Sequence, residues 1–280
     1  MSKLLLRIVA TALIGWASTA QAQVPPISPS PLPPQQPAVT APDLTLLGRA
    51  MGDFLQTNRV ATQSELVMTI QDKGVDVKIY AQTKTIAQTS GEFRSELTFA
   101  RPGQPPTATY TIVSDRRRVW IYRPDRRQYS QTTIAKFQAQ PYSYLVGISS
   151  TFFLTVTEPT RRELNAALAS SPNFLAALPE RDIKDLQGSK RQVEGQELYV
   201  YSYTDKVEKW TFNGFVQPQT GILKQVEFTG IDAKDGWTFS LTEKIIDRNP
   251  RPNVNSSTFK FLPPKGTKKV QSLSIDLTGL

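Results

Sequence analysis

The side chains that could do chemistry here are notable first for what they exclude. The 280-residue chain has no cysteine and no histidine. Thiolate nucleophiles, disulfide frameworks, histidine triads and histidine or cysteine zinc sites are therefore impossible. Asp232 and Asp235 could start a calcium site, but a hairpin turn at Asp235-Gly236 explains them better. No glycine-rich phosphate loop is present, and a serine-lysine dyad has no supporting pattern. What remains is charge and aromatic surface. Arg116, Arg117, Arg118, Arg123, Arg126 and Arg127 crowd twelve residues. Two readings stand for them: a charged hairpin edge that discourages strand addition, or a contact for anionic headgroups or an acidic partner. The expectation is a binding protein rather than an enzyme, with no metal and no cofactor.

The elements that must position these groups are mainly strands. Leu66, Met68 and Ile70 alternate, followed by Val75, Val77 and Ile79 beyond the turn at Lys73-Gly74. Phe93, Ser95, Leu97 and Phe99 form a third strand. Residues 107–133 read as two or three short strands with turns at Ser114-Asp115 and Pro124-Asp125. Here Tyr110 and Ile112 share one face, and Trp120 and Tyr122 share another. Both faces carry large apolar groups, so the meander buries something on each side. The β pattern returns at Ile183, with Tyr199, Tyr201 and Tyr203 on one strand face, then Trp210 with Phe212, then Trp237 with Phe239. About eleven strands are expected, more than a flat sheet carries comfortably. The fold class is mainly β (α+β): a half-open, strongly curved antiparallel barrel with helices over its concave, hydrophobic side. Asp43, after Pro42, is the expected N-cap of a first helix reaching Asn58.

Residues 134–182 interrupt the strands with an apolar insertion containing Tyr142, Tyr144, Leu145, Val146, Ile148, Phe152 and Phe153. Either it packs on the sheet as ordinary core or it forms a lid over a cavity. The candidate cavity residues are Trp120, Tyr122, Tyr201, Trp210, Phe212, Trp237 and Phe239, although one sequence does not tell which face looks inward.

Before the domain, residues 1–22 have the parts of a secretory signal. Lys3 and Arg7 precede an apolar run, and Ala20-Gln21-Ala22 matches a cleavage pattern, placing the cut after Ala22. The net charge of +9 would fall to +7 on losing those two cations. Residues 23–42 hold eight prolines (Pro25, Pro26, Pro29, Pro31, Pro33, Pro34, Pro37 and Pro42) and read as a linker. Extended at about 3.1 Å per residue, it could reach on the order of 60 Å. Residues 43–280 form the domain. Export makes the periplasm the expected compartment and nucleic acid an improbable partner, and a monomer is expected.

Three stretches resemble one family. Arg101-Pro102 closes a strand. The hairpin Ile112-Val113-Ser114-Asp115 to Val119-Trp120-Ile121-Tyr122-Arg123-Pro124 follows. The run Phe259-Lys260-Phe261-Leu262-Pro263-Pro264-Lys265-Gly266 lies near the end. Their order and approximate spacing are similar to the LolA/LolB-like family of periplasmic lipoprotein carriers, over roughly residues 43–272. The resemblance implies a hydrophobic concavity that holds the acyl chains of a lipoprotein or lipid. It also implies transient contact with an inner-membrane release machinery and an outer-membrane acceptor. It assigns Arg101 to holding the lid closed; within the insertion, the expected lid residues are Tyr142, Tyr144, Leu145, Ile148, Phe152 and Phe153. The chain departs from the pattern in three ways: Arg116-Arg117-Arg118 stand where glycine usually follows Ser-Asp, the middle insertion is long, and a proline-rich leader precedes the domain. Other readings on the same fold are a carrier or sensor of free lipid or envelope stress, and a periplasmic scaffold with a filled interior.

Overall fold

A computed structural model describes residues 41–72, 75–100, 103–171, 175, 185–207, 209–231, 236–273 and 275. The signal segment, most of the proline-rich segment, Arg101, Asp232 and Asp235 lie outside the described residues.

The chain opens with α1 (Leu44–Leu55), started as expected by Asp43, whose carboxylate accepts from the Leu46 backbone N–H at 2.9 Å. The strands β1 (Arg59–Asp72), β2 (Val75–Gln88), β3 (Glu92–Phe99), β4 (Ala108–Asp115), β5 (Arg118–Arg123) and β6 (Gln128–Thr133) then run as an antiparallel meander. The insertion follows as α2 (Ile134–Gln138), a 3₁₀ turn (Pro141–Val146), α3 (Ile148–Thr155) and α4 (Glu158–Ser170). A second meander consists of β7 (Leu186–Val193), β8 (Gln196–Asp205), β9 (Trp210–Val216), β10 (Leu223–Ile231) and β11 (Thr238–Asn249). β11 pairs with β1 and so joins the two meanders into one sheet. A twelfth strand, β12 (Lys268–Lys269), runs parallel to β6. The expectation of about eleven antiparallel strands is thus met by β1–β11, with this short parallel addition at one edge. The protein is mostly β: one large, curved, unclosed antiparallel sheet with a few helices.

Alternation fixes the inner face. Leu66 on β1 pairs with Ala81 on β2 and with Glu243 on β11. Ile112 on β4 pairs with Ser95 on β3 and Ile121 on β5. These positions share the face that the insertion covers. The main core joins Phe93, Leu97, Tyr110, Ile112 and Ile121 of the sheet to Leu145, Ile148 and Phe153 of the insertion. All of these side chains are buried.

Arg116 follows Asp115 with φ of +81°, in the left-handed region that glycine enters freely. The turn is held regardless. Asp115 Oδ1 accepts from the backbone N–H groups of Arg117 and Arg118, and Arg116 Nε donates to the Ser90 carbonyl at 2.8 Å.

Candidate functional site: the concave face and its helical cover

Two regions divide the concave face. Under β1–β6, the 3₁₀ turn and α3 seat Leu145, Val146, Ile148 and Phe153 against the sheet. Phe153 is fully buried and meets Phe54 of α1 edge-on, with centroids 5.5 Å apart. Phe152 meets the same ring at 5.3 Å and is only half-buried. Tyr142 packs on Phe137, and Tyr144 stacks on Phe228 of β10 at 6.2 Å. The expected lid residues other than Arg101 are therefore together on one side of the sheet.

Under β8–β11 the face is lined by rings. Tyr203 meets Trp210 at 5.4 Å, Trp210 meets Phe228 at 5.6 Å, Phe228 meets Phe239 at 5.4 Å, and Phe239 meets Trp237 at 5.6 Å. Successive strands contribute to this row because β9, β10 and β11 are in register: Trp210 opposite Gly230, and Gly230 opposite Phe239. Gly230 leaves room for its neighbour, since a Cβ there would lie 2.7 Å from the Phe239 ring. Phe212, Phe228, Trp237 and Phe239 are half-buried and so keep part of their surface open to solvent. Rings in offset or tilted contact contribute about 0.5–1.5 kcal/mol per pair beyond the area they bury.

The sequence expectation grouped seven aromatic residues as cavity lining, and the structure sorts them. Trp210, Phe212 and Phe239 lie on the concave face, with Trp237 against Phe239. Tyr201 lies on the same face but is covered by α1, where its hydroxyl donates to the Asp43 carbonyl. That burial pushes the Tyr201 phenol well above its usual range. Trp120 and Tyr122 lie on the opposite face, packed against Phe261 with centroid separations of 6.1 and 5.9 Å. Their strand carries large side chains on both faces, and alternation alone does not tell inside from outside. The arginine group is also divided. Arg116–Arg118 and Arg126–Arg127 sit at opposite ends of β5. Arg123 is buried, donating to the Tyr110 hydroxyl at 3.1 Å and to Asp125 at 3.0 Å.

Polar side chains that sequence reading missed attach the insertion to the sheet. Glu243 on β11 is completely buried. It accepts from the Ser149 backbone N–H at 2.7 Å, the Ser149 hydroxyl at 2.8 Å and the Ser64 hydroxyl at 2.7 Å. It thereby caps the N-terminus of α3, where the helix dipole favours negative charge. Burial raises the Glu243 carboxyl above its ordinary range, while these donors pull it back. Gly147, with φ of +100°, permits the approach, because a Cβ there would lie 2.9 Å from Glu243 Oε1. Nearby, the Thr85 hydroxyl donates to the Val146 carbonyl at 2.6 Å within a cluster with Thr83 and Ser95. At the other end of α3, Arg161 donates to the carbonyls of Phe153 and Val156 and lies over the Phe153 ring at 4.3 Å. Desolvation lowers its guanidinium to about 10. The cue for Glu243 was its place between Leu241 and Ile245 on the inward parity of β11. The cue for Arg161 was its spacing of three from Leu164, on the buried side of α4.

Among the described residues, no group of three or more carboxylates or other ligating side chains could hold a metal ion. No described helix is long and apolar enough to cross a membrane.

No family model matches the chain, and no curated protein matches it. Solved structures do. An uncharacterized conserved protein from Thermus thermophilus shares 12% identity, covering 81% of this chain and 97% of that one, with a TM-score of 0.38. A LolA superfamily protein from Nitrosomonas europaea shares 12% identity over 79% and 99%, with a TM-score of 0.31. A putative outer membrane lipoprotein-sorting protein domain from Vibrio parahaemolyticus shares 10% identity over 77% and 95%, with a TM-score of 0.29. Similarity at this level carries no functional weight.

Proposed function

We propose that this protein is a non-enzymatic periplasmic carrier that binds the acyl chains of a lipoprotein against its concave face and moves them between membranes. The observation that carries this reading is the row of rings from Tyr203 to Trp237, continuous with the hydrophobic core, bordered by Tyr144 of the helical cover and half-open at Phe228, Phe239 and Trp237. An acyl chain gains about 0.8 kcal/mol for each CH₂ it buries, so such a surface needs no catalytic group to hold one. The 3₁₀ turn and α3 act as the lid. They fill the concavity under β1–β6 and are attached to the sheet by hydrogen bonds that Ser149 donates to Glu243 and that Thr85 donates to the Val146 carbonyl, which can be exchanged for water as cargo enters. Export by the 1–22 segment, cleavage after Ala22 and a proline-rich spacer over 23–42 complete the scheme. Donor and acceptor proteins at the two membranes would meet the loaded form.

The test is titration with a dansyl-labelled fatty acid and with a triacylated lipopeptide. Both should bind, the lipopeptide more tightly. Phe239→Ala, at a half-buried position, should weaken both by about tenfold, the lower end of what burying a large apolar side chain contributes. Preference for the free fatty acid would favour a free-lipid carrier. Binding of neither would refute the proposal.

A further inference from the structure

The opposite face of the sheet carries a second surface, independent of the concavity. Phe261 lies among Trp120, Tyr122 and Tyr129, at centroid separations of 5.4–6.1 Å, and fixes the segment after β11 across β5 and β6. Further along, the Thr267 N–H donates to the Pro264 carbonyl at 3.1 Å and closes a turn. The Lys268 N–H then donates to the Arg127 carbonyl at 2.8 Å, and β12 pairs with β6. These contacts bring two distant basic stretches to one corner. Lys260, Lys265, Lys268 and Lys269 join Arg126 and Arg127 of the β5–β6 turn, and all six are exposed. Asp125, in the same turn, is already held by Arg123.

An apolar side chain stands among these cations. Leu262 is 81% exposed, followed by Pro263 and Pro264. Beside it a cavity of about 300 Å³ is lined by Arg94, Lys260, Tyr122 and Ser257, among others. Glu96 lies on the same face, in register with Thr111. The two prolines fix φ along the loop, so Leu262 is presented with little ordering left to be lost on contact.

We infer that this corner docks on an anionic lipid bilayer, with Leu262 entering the interface and the lysines and arginines meeting headgroup phosphates. Neither element suffices alone. One leucine gives marginal attachment, and cations alone would suit any anion. An apolar tip together with a basic patch supplies both contributions that strengthen attachment to a membrane surface, buried apolar area and attraction to anionic lipid. A nucleic acid or a simple acidic peptide would leave Leu262 in water, whereas a bilayer uses both features. Each cation near such a surface is worth about a fivefold gain in affinity.

The test is co-sedimentation of the protein, purified from its own cells with its N-terminus read by mass spectrometry, with vesicles of phosphatidylcholine alone or with phosphatidylglycerol added. Binding should require the anionic lipid and fall steeply with salt. The double variant Lys265→Glu/Lys268→Glu should lower it by about 25-fold or more, and Leu262→Ser by about tenfold. Phe239→Ala, on the other face, should leave it unchanged, so failure of the carrier reading and failure of this one are separable. Equal binding to neutral vesicles, unchanged binding by the charge-reversed variant, or equal capture by soluble polyglutamate would overturn the inference.

Discussion

Glu243→Ala should destabilise the protein through the loss of one small group of hydrogen bonds. Glu243 is fully buried and accepts three of them. Truncation leaves the Ser64 and Ser149 hydroxyls free to rotate toward other acceptors, but the Ser149 backbone N–H cannot turn. One orphaned, buried donor costs about 1–3 kcal/mol. The cavity left by the removed side chain adds about 1–2 kcal/mol. The expected loss is about 2–5 kcal/mol, or on the order of 10 °C in Tm for a domain of this size. Glu243→Gln keeps a carbonyl acceptor for the Ser149 N–H and should retain most of the stability. The pH dependence separates carboxylate from amide. Burial raises the folded-state pKa of Glu243 above its ordinary 4.5, so the folded chain holds that proton more tightly than the unfolded chain. Its stabilising contribution is fully present below 4.5 and is lost as pH rises through the raised value. Relative to Glu243→Gln, the native protein should therefore lose stability as pH is raised above 4.5. Thermal melts by circular dichroism across that window measure both effects. A Glu243→Ala variant within about 1 kcal/mol of the native protein, or parallel pH profiles for the native and Gln forms, would refute the reasoning.

Other variants examine separate contacts. Arg161→Met removes the donors to Phe153 and Val156 and the charge over the Phe153 ring; denaturant unfolding should show a loss of about 2–4 kcal/mol. Phe261→Ala should release the segment over Trp120, Tyr122 and Tyr129, costing about 3 kcal/mol, and hydrogen exchange should rise first at Lys268 and Val270, whose N–H groups donate to the Arg127 and Tyr129 carbonyls. Gly188→Ala places a Cβ 2.1 Å from the Tyr199 hydroxyl, which accepts from the Asp43 N–H, and 2.9 Å from the Pro42 backbone; it should cost about 1–3 kcal/mol and raise protease sensitivity near Pro42.

The sequence was most informative where one periodicity met one environment. Asp43 was readable as a cap because proline precedes it and an amphipathic helix follows it. The tyrosines at 199, 201 and 203 were readable as one face because they recur at every second residue along β8, although Leu198 and Val200 are buried on the other face. The first helix buries Leu46 along with Phe54 and Leu55, because α1 touches both the β8–β9 side and α4. Trp120 and Tyr122 were ambiguous for a different reason. Their strand is apolar on both faces, and only the arrival of Phe261 from far along the chain shows what covers the outer one. Glu243 and Thr85 are polar positions on an otherwise apolar inner face, and their partners, the Ser149 N–H and the Val146 carbonyl, arrive only with the insertion. Long-range pairing, which local pattern does not encode, decides these positions.

The central claim is that the concave face holds acyl chains, and native mass spectrometry of the protein purified without detergent from the envelope of its own cells tests it most directly. The account predicts a mass increment matching a lipid or an acylated polypeptide, reduced in Phe239→Ala. A bare mass, with no increment after incubation with a triacylated lipopeptide, would contradict it.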